Sequence, residues 1–87
     1  MIWTVVWQPS AEQKLAQLWM DDPQPAAITQ AANQIDKLLR ENPLGQGEGR
    51  SGNRRVMFVS PLAVHFEVFE EDCRVQVLKA WRIPEPS

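Results

Sequence analysis

From Arg54 to Ile83 the chain is three β-forming runs with almost nothing between them. RRVMFVS (54–60) meets LAVHFEVF (62–69) across Pro61, and RVQVLKAWRI (74–83) follows after EEDC. β-branched and aromatic residues dominate all three. Connections this short cannot carry a parallel crossover, which takes a dozen residues or more. The runs therefore predict an antiparallel meander, and such a sheet must bury one face against another layer. Leu62, Val64, Phe66 and Val68 alternate with Ala63, His65, Glu67 and Phe69, so the first set is expected to face that layer.

The covering layer lies upstream. IWTVVW (2–7) reads as a strand closed by Pro9. Trp3, Val5 and Trp7 share one face and Ile2, Thr4 and Val6 the other, which predicts a central or well-covered strand. Ser10 followed by Gln13 is a capping-box pattern for a first helix, AEQKLAQLWM, which stops near Asp21. Its Ala11, Leu15, Leu18 and Trp19 fall at helical spacing and predict a core stripe. In DDPQP, Asp22 can cap a second helix with Pro23 in its first turn. Ile28, Ala31, Ala32, Ile35, Leu38 and Leu39 then form one stripe up to Arg40, and Asn42-Pro43 ends the helix. The connection between the helices is tight, so they form an antiparallel hairpin. The order is β-α-α-β-β-β, a single α+β domain over 1–87. The helical hairpin packs on one face of a small antiparallel-rich sheet, and the other face is left for function or a partner. The tail PEPS is expected to fray.

The totals narrow the classes. A chain of 87 residues is one domain, and four Trp and three Phe supply large buried area from few positions. A single cysteine, Cys73, excludes an internal disulfide. No run approaches the roughly 18 apolar residues a bilayer span needs. The N-terminus has no basic region or small-residue cleavage site, so a cytoplasmic protein is expected. Net charge is −2, whereas a dedicated nucleic-acid binder is usually basic. The charge is uneven, however: positions 50 to 55 hold Arg50, Arg54 and Arg55, while Glu67, Glu70, Glu71 and Asp72 gather later. One His, one Cys and scattered acids offer no metal-ligand spacing, and neither metal nor cofactor is expected.

GQGEGRSGNRR (45–55) holds all four glycines, and within it GEGRSG has the spacing G-x-G-x-x-G. A dinucleotide cradle needs a strand before those glycines and a helix after them. Here a helix precedes and a strand follows. The stretch reads instead as a solvated connector that permits positive φ and carries three arginines to the sheet edge.

Four segments in this order, WQPSAEQKLAQLW, IDKLLRENPLGQG, RRVMFVSPLAVHFEVFEED and RVQVLKAWRI, resemble the RelE/ParE superfamily of bacterial toxins from type II toxin–antitoxin modules. The resemblance implies that fold and a cognate antitoxin as partner. Some family members cut mRNA in the ribosomal A site; others bind DNA gyrase and cut nothing. The nucleases place basic residues on the central strands and near the end of the last. Arg54 falls at the first such position and Arg82 near the last, but Val56 and Ala63 occupy two others, and there is no Tyr.

Metal-free RNA cleavage needs a base, cationic donors for the charge growing on phosphate, and an acid. His65 is the one side chain whose ordinary pKa suits proton transfer at neutral pH. It shares the face opposite Val64 and Phe66 with Glu67, and an ordinary surface pairing with Glu67 is the alternative. The catalytic candidates are His65, Arg54, Arg55 and Arg82; the RNA-binding candidates are Arg50, Arg54, Arg55, Lys79 and Trp81. Arg54 and Arg55 point to opposite faces, so only one can serve. Glu48 is either a base or a solvated loop acid, and Trp81 either stacks a base or packs in the core. Two readings follow: a ribosome-dependent mRNA endonuclease, or a non-catalytic protein of the same fold that grips a protein target such as gyrase or survives as an inactivated interaction module.

Overall fold

The computed structural model describes residues 2–84; of the expected frayed tail, residues 85–87 lie outside the described residues. The elements are β1 (Thr4–Trp7), α1 (Pro9–Asp21), α2 (Pro25–Glu41), a 3-10 turn (Pro43–Gly45), β2 (Glu48–Gly49), β3 (Arg54–Val59), β4 (Leu62–Phe69) and β5 (Arg74–Arg82). One five-stranded sheet runs β1-β5-β4-β3-β2. The meander is antiparallel, and β1 joins β5 in parallel. This is the expected two-layer α+β arrangement.

α1 and α2 pack on each other and cover one sheet face. Ile28, Ala31, Ile35 and Leu39 of α2 are buried, as its stripe predicts. They meet Val5, Met57, Leu62, Val64, Phe66, Val68, Val75, Val77 and Ala80 from the sheet. Leu62, Val64, Phe66, Val75 and Val77 are each 0% exposed, so the sheet's contribution is dry throughout. β1 is tied to α2 by the Trp7 Nε1–H, which donates to Asp36 Oδ1 at 3.4 Å, and by the Trp3 N–H, which donates to the Arg40 carbonyl.

The helix starts differ from expectation. α1 opens with Pro9 as its first residue after Gln8, whose side chain makes no capping bond, and Ser10 lies inside the helix. Proline fits there because its missing N–H is one of the unpaired donors of a helix start. For the same reason α2 opens with Pro25, two residues later than the Pro23 reading placed it. Asp22 instead ends α1, its N–H bonding the Leu18 carbonyl and its side chain accepting from the Gln24 N–H.

β1 is an edge strand rather than a central one. Trp3 and Val5 are buried under the helices, but Thr4 and Val6 are exposed on the other face. A second apolar face on a strand does not require cover when the strand is short and its face contributes isolated apolar groups. Trp19 also departs from expectation at 48% exposed. Ala11, Leu15 and Leu18 already fill the inward side of α1, and Trp19 stands at the rim of the cleft between the helices.

Candidate functional site

The face of the sheet away from the helices carries a grid set by strand register. Arg54, Glu67 and Gln76 form one row, Val56, His65 and Lys79 the next, and Phe58, Ala63 and Trp81 the third. Cross-strand partners project to the same side of a sheet, so each row is a set of neighbours.

A bulge in β5 decides who stands in this grid. The register slips between His65, opposite Lys79, and Phe66, opposite Val77, which leaves Leu78 as the extra residue. Before the slip Val75 and Val77 point into the core; after it Ala80 does. Strict alternation from Val77 would send Lys79 and Trp81 into the core. The extra residue turns both onto the open face.

β1 pairs with β5 only from Arg74 to Val77. Beyond that point the flank of β5 has no strand beside it, and the start of α1 lies there. A groove of about 570 Å³ results, lined by Gln8, Ser10 and Lys14 from the α1 side and by Arg54, His65, Leu78, Lys79, Ala80 and Trp81 from the sheet. Three cationic side chains, one imidazole and one indole thus border a single depression.

His65 is the half-buried centre of this groove. Burial pushes its imidazole below its ordinary value, the charges of Arg54, Lys79 and Arg50 push the same way, and Glu67 opposes them. The ring is therefore neutral at pH 7 and can accept a proton. Its Nε2 is buried with no hydrogen-bond partner among the described residues.

The sequence candidates divide by position. Arg54, Lys79, His65 and Trp81 come together. Arg55 lies on the helix side of β3, beside Met57, where Nε–H and an Nη2–H donate to the carbonyls of Gln46 and Gly47 at 2.8 and 3.2 Å. Arg82, opposite Leu62, is also turned to the helix side by the bulge, and its Nε–H donates to Asp22 Oδ2 at 2.6 Å. The Asp22 side chain is 3% exposed, and its carboxyl is held below the usual range by the Gln24 N–H and then by Arg82. Arg55 and Arg82 are thus engaged away from His65. Arg50 lies exposed at the sheet edge, donating to Glu48 Oε2 and the Gly49 carbonyl.

The glycine stretch is more than a connector. Glu48 and Gly49 add a short edge strand to β3, and Arg55 holds the chain entering it. Glu48 is exposed there and pairs with Arg50 at 3.4 Å. Sequence reasoning missed Lys14: three residues into the pattern of α1, nothing but tertiary packing marks it as bordering the groove. Among the described residues no group of three His, Cys, Asp or Glu side chains is placed to hold a metal ion, and no helix is long and apolar enough to cross a membrane.

No protein-family model matches this sequence, and no curated protein matches it. Solved structures do. The chain superposes on the RelBE2 toxin–antitoxin complex of Mycobacterium tuberculosis with a TM-score of 0.77 at 15% identity, over 98% of this chain and 95% of that one. The chromosomal ParDE system of P. aeruginosa gives 0.73 at 17% identity, over 95% and 98%. The isolated E. coli RelE toxin gives 0.66 at 11% identity, over 98% and 88%. At such identities the likeness establishes the fold, and the fold is that of the RelE/ParE toxins.

Proposed function

With the RelE/ParE fold as premise, we propose that this chain is the toxin-like member of a bacterial toxin–antitoxin pair and that its open sheet face binds and cleaves mRNA presented by the ribosome. The observation that supports the reading is the convergence of Arg54, Lys79 and Lys14 on a neutral His65 in one groove. A net charge of −2 gives the free protein little long-range attraction for RNA, which fits a strand delivered by the ribosome.

The chemistry needs no metal. The neutral imidazole of His65 takes the proton of a 2′-hydroxyl, and the 2′-oxygen bonds to the adjacent phosphorus. Arg54 and Lys79 steady the charge on the phosphoryl oxygens. The bond from phosphorus to the 5′-oxygen breaks, a 2′,3′-cyclic phosphate remains on one product, and the leaving 5′-oxygen takes a proton from water. An antitoxin is the partner, as in the RelBE2 and ParDE structures. The apolar cleft between α1 and α2, about 430 Å³ with Trp7 and Trp19 on its walls, offers it a separate docking surface.

A second reading is a non-catalytic protein that grips a protein target. The engagement of Arg55 and Arg82 elsewhere favours it, since it leaves the groove with fewer cations than the sequence offers. Induced expression in a bacterial host separates the two. Growth arrest with new mRNA ends inside codons, lost in His65→Ala and Arg54→Ala/Lys79→Ala and retained in Arg55→Ala, is expected. Arrest without new ends would assign a protein target, and no arrest would remove the toxin reading.

A further inference from the structure

A carboxylate packed away from water needs partners, and the Asp22 side chain is 3% exposed. Its Oδ1 accepts the Gln24 N–H at 2.8 Å, which serves the turn between α1 and α2. Its Oδ2 accepts the Nε–H of Arg82 at 2.6 Å, from the far end of β5 and 60 positions away. The turn does not require this second bond. What the bond joins is the end of α1 to the end of β5.

α1 is tied to β5 at its other end as well. The Gln8 N–H, just before the helix, donates to the Val77 carbonyl at 2.9 Å. The 13 residues of α1 rise about 20 Å, and the strand from Val77 to Arg82 covers about 17 Å. The helix therefore lies along this stretch and is fastened to it at both ends. The extra residue Leu78 and the groove-lining Lys79 and Trp81 fall between the two fastenings. β1 stops pairing at Val77, so no strand steadies this stretch on that flank.

A bulge reverses the facing of every residue after it. Here it sends Lys79 and Trp81 to the open face and, by the same step, Arg82 to the helix side. A guanidinium turned inward needs an acceptor within reach, and the carboxylate of Asp22 supplies one. Returning Arg82 to the open face by losing the bulge would carry Lys79 and Trp81 inward.

We propose that Asp22 and Arg82 are a positioning pair for the groove: joined on the helix side, they lock β5 in its bulged register and so keep Lys79 and Trp81 beside His65. The purpose of the pair rests on the cleavage reading of that groove, and deepens it. Arg82 acts through Lys79 and Trp81 and does not touch the phosphate.

Nuclear magnetic resonance of the intact protein gives two readouts, the titration of the His65 imidazole and the hydrogen exchange of the β5 amides. The charges that shift His65 are those of Arg54, Lys79, Arg50 and Glu67, and Lys14 borders the groove from α1. A change at Asp22 or Arg82 therefore reaches His65 through Lys79 and the burial of the ring. Asp22→Asn keeps an acceptor for the Gln24 N–H and removes the charge. In it the His65 pKa is expected to rise toward 6.5 as Lys79 withdraws and water returns. Amides of residues 79–82 are expected to exchange about tenfold faster or more, while those of 74–77, which β1 flanks, keep their protection. Arg82→Gln should do the same and serves if Asp22→Asn fails to fold, and Arg82→Lys should keep the wild-type titration. An unchanged His65 titration in both Asp22→Asn and Arg82→Gln would overturn the proposal. Faster exchange spread evenly over all of β5 would also overturn it, marking the pair as a general support. Neither readout uses RNA, so a wild type that cuts no mRNA would sink the nuclease reading and leave the positioning pair standing.

Discussion

His65 ties the groove to protein stability. Its folded-state pKa is lowered, so between the ordinary value near 6.5 and the lower folded value the unfolded chain binds more protons than the folded one. Stability therefore falls as pH drops below about 6.5. Denaturant titrations from about pH 7 to about pH 5 should show that slope, and His65→Gln should flatten it. Asp22 acts lower in pH: its carboxyl is depressed from 3.8, and its stabilising interactions with the Gln24 N–H and Arg82 are lost only as pH falls through the acid range beneath that value. That the ordinary pKa of His65 suits proton transfer was legible from residue type alone, but its lowering was not. The desolvation and the charges of Arg54, Lys79 and Arg50 come from separate strands and a loop that only the fold brings together.

At the scale of elements, the glycine stretch shows how much a local pattern leaves open. Gly47 has φ of +68°, and a Cβ there would run into the Val56 carbonyl. Gly47→Ala should therefore destabilise the protein by about 1 kcal/mol or more, beyond the ordinary penalty for a left-handed residue, because β3 backbone stands in the way. Hydrogen exchange of the β2 and β3 amides would show the loss locally before global unfolding. The three meander strands and the α2 stripe were readable because alternation and 3.6-residue periodicity report a buried face directly. The helix starts were readable only to within two residues, since Ser10 and Asp22 compete with Pro9 and Pro25 for the same role. β2 was not readable: a two-residue strand has no periodicity, and it exists because β3 offers an edge to pair with.

For the whole molecule, the sheet has one face covered by the helices and one open face, and substitutions should respond accordingly. Phe66 is 0% exposed between sheet and helices, whereas Phe58 is 58% exposed on the opposite side. Phe66→Ala should cost about 3–5 kcal/mol in denaturant unfolding, a large share of the roughly 5–15 kcal/mol a domain has. Phe58→Ala should change stability by less than about 0.5 kcal/mol.

The order of elements, the two-layer architecture and the identity of the core face of β4 follow from the sequence by itself, because burial of apolar stripes at fixed periods admits few alternatives. The composition of the groove does not. Lys79 and Trp81 reach it, and Arg82 is turned from it, through one extra residue at Leu78. A bulge leaves no mark on a run of β-formers; it is set by how β5 fits against β4 and α1. Arg55 and Arg82 stood beside Arg54 as catalytic candidates in sequence, yet carbonyls at Gln46 and Gly47 and the carboxylate of Asp22, 60 residues from Arg82, engage them elsewhere. Which cations serve a site depends on the partners within reach of each, and only the folded chain brings those partners near.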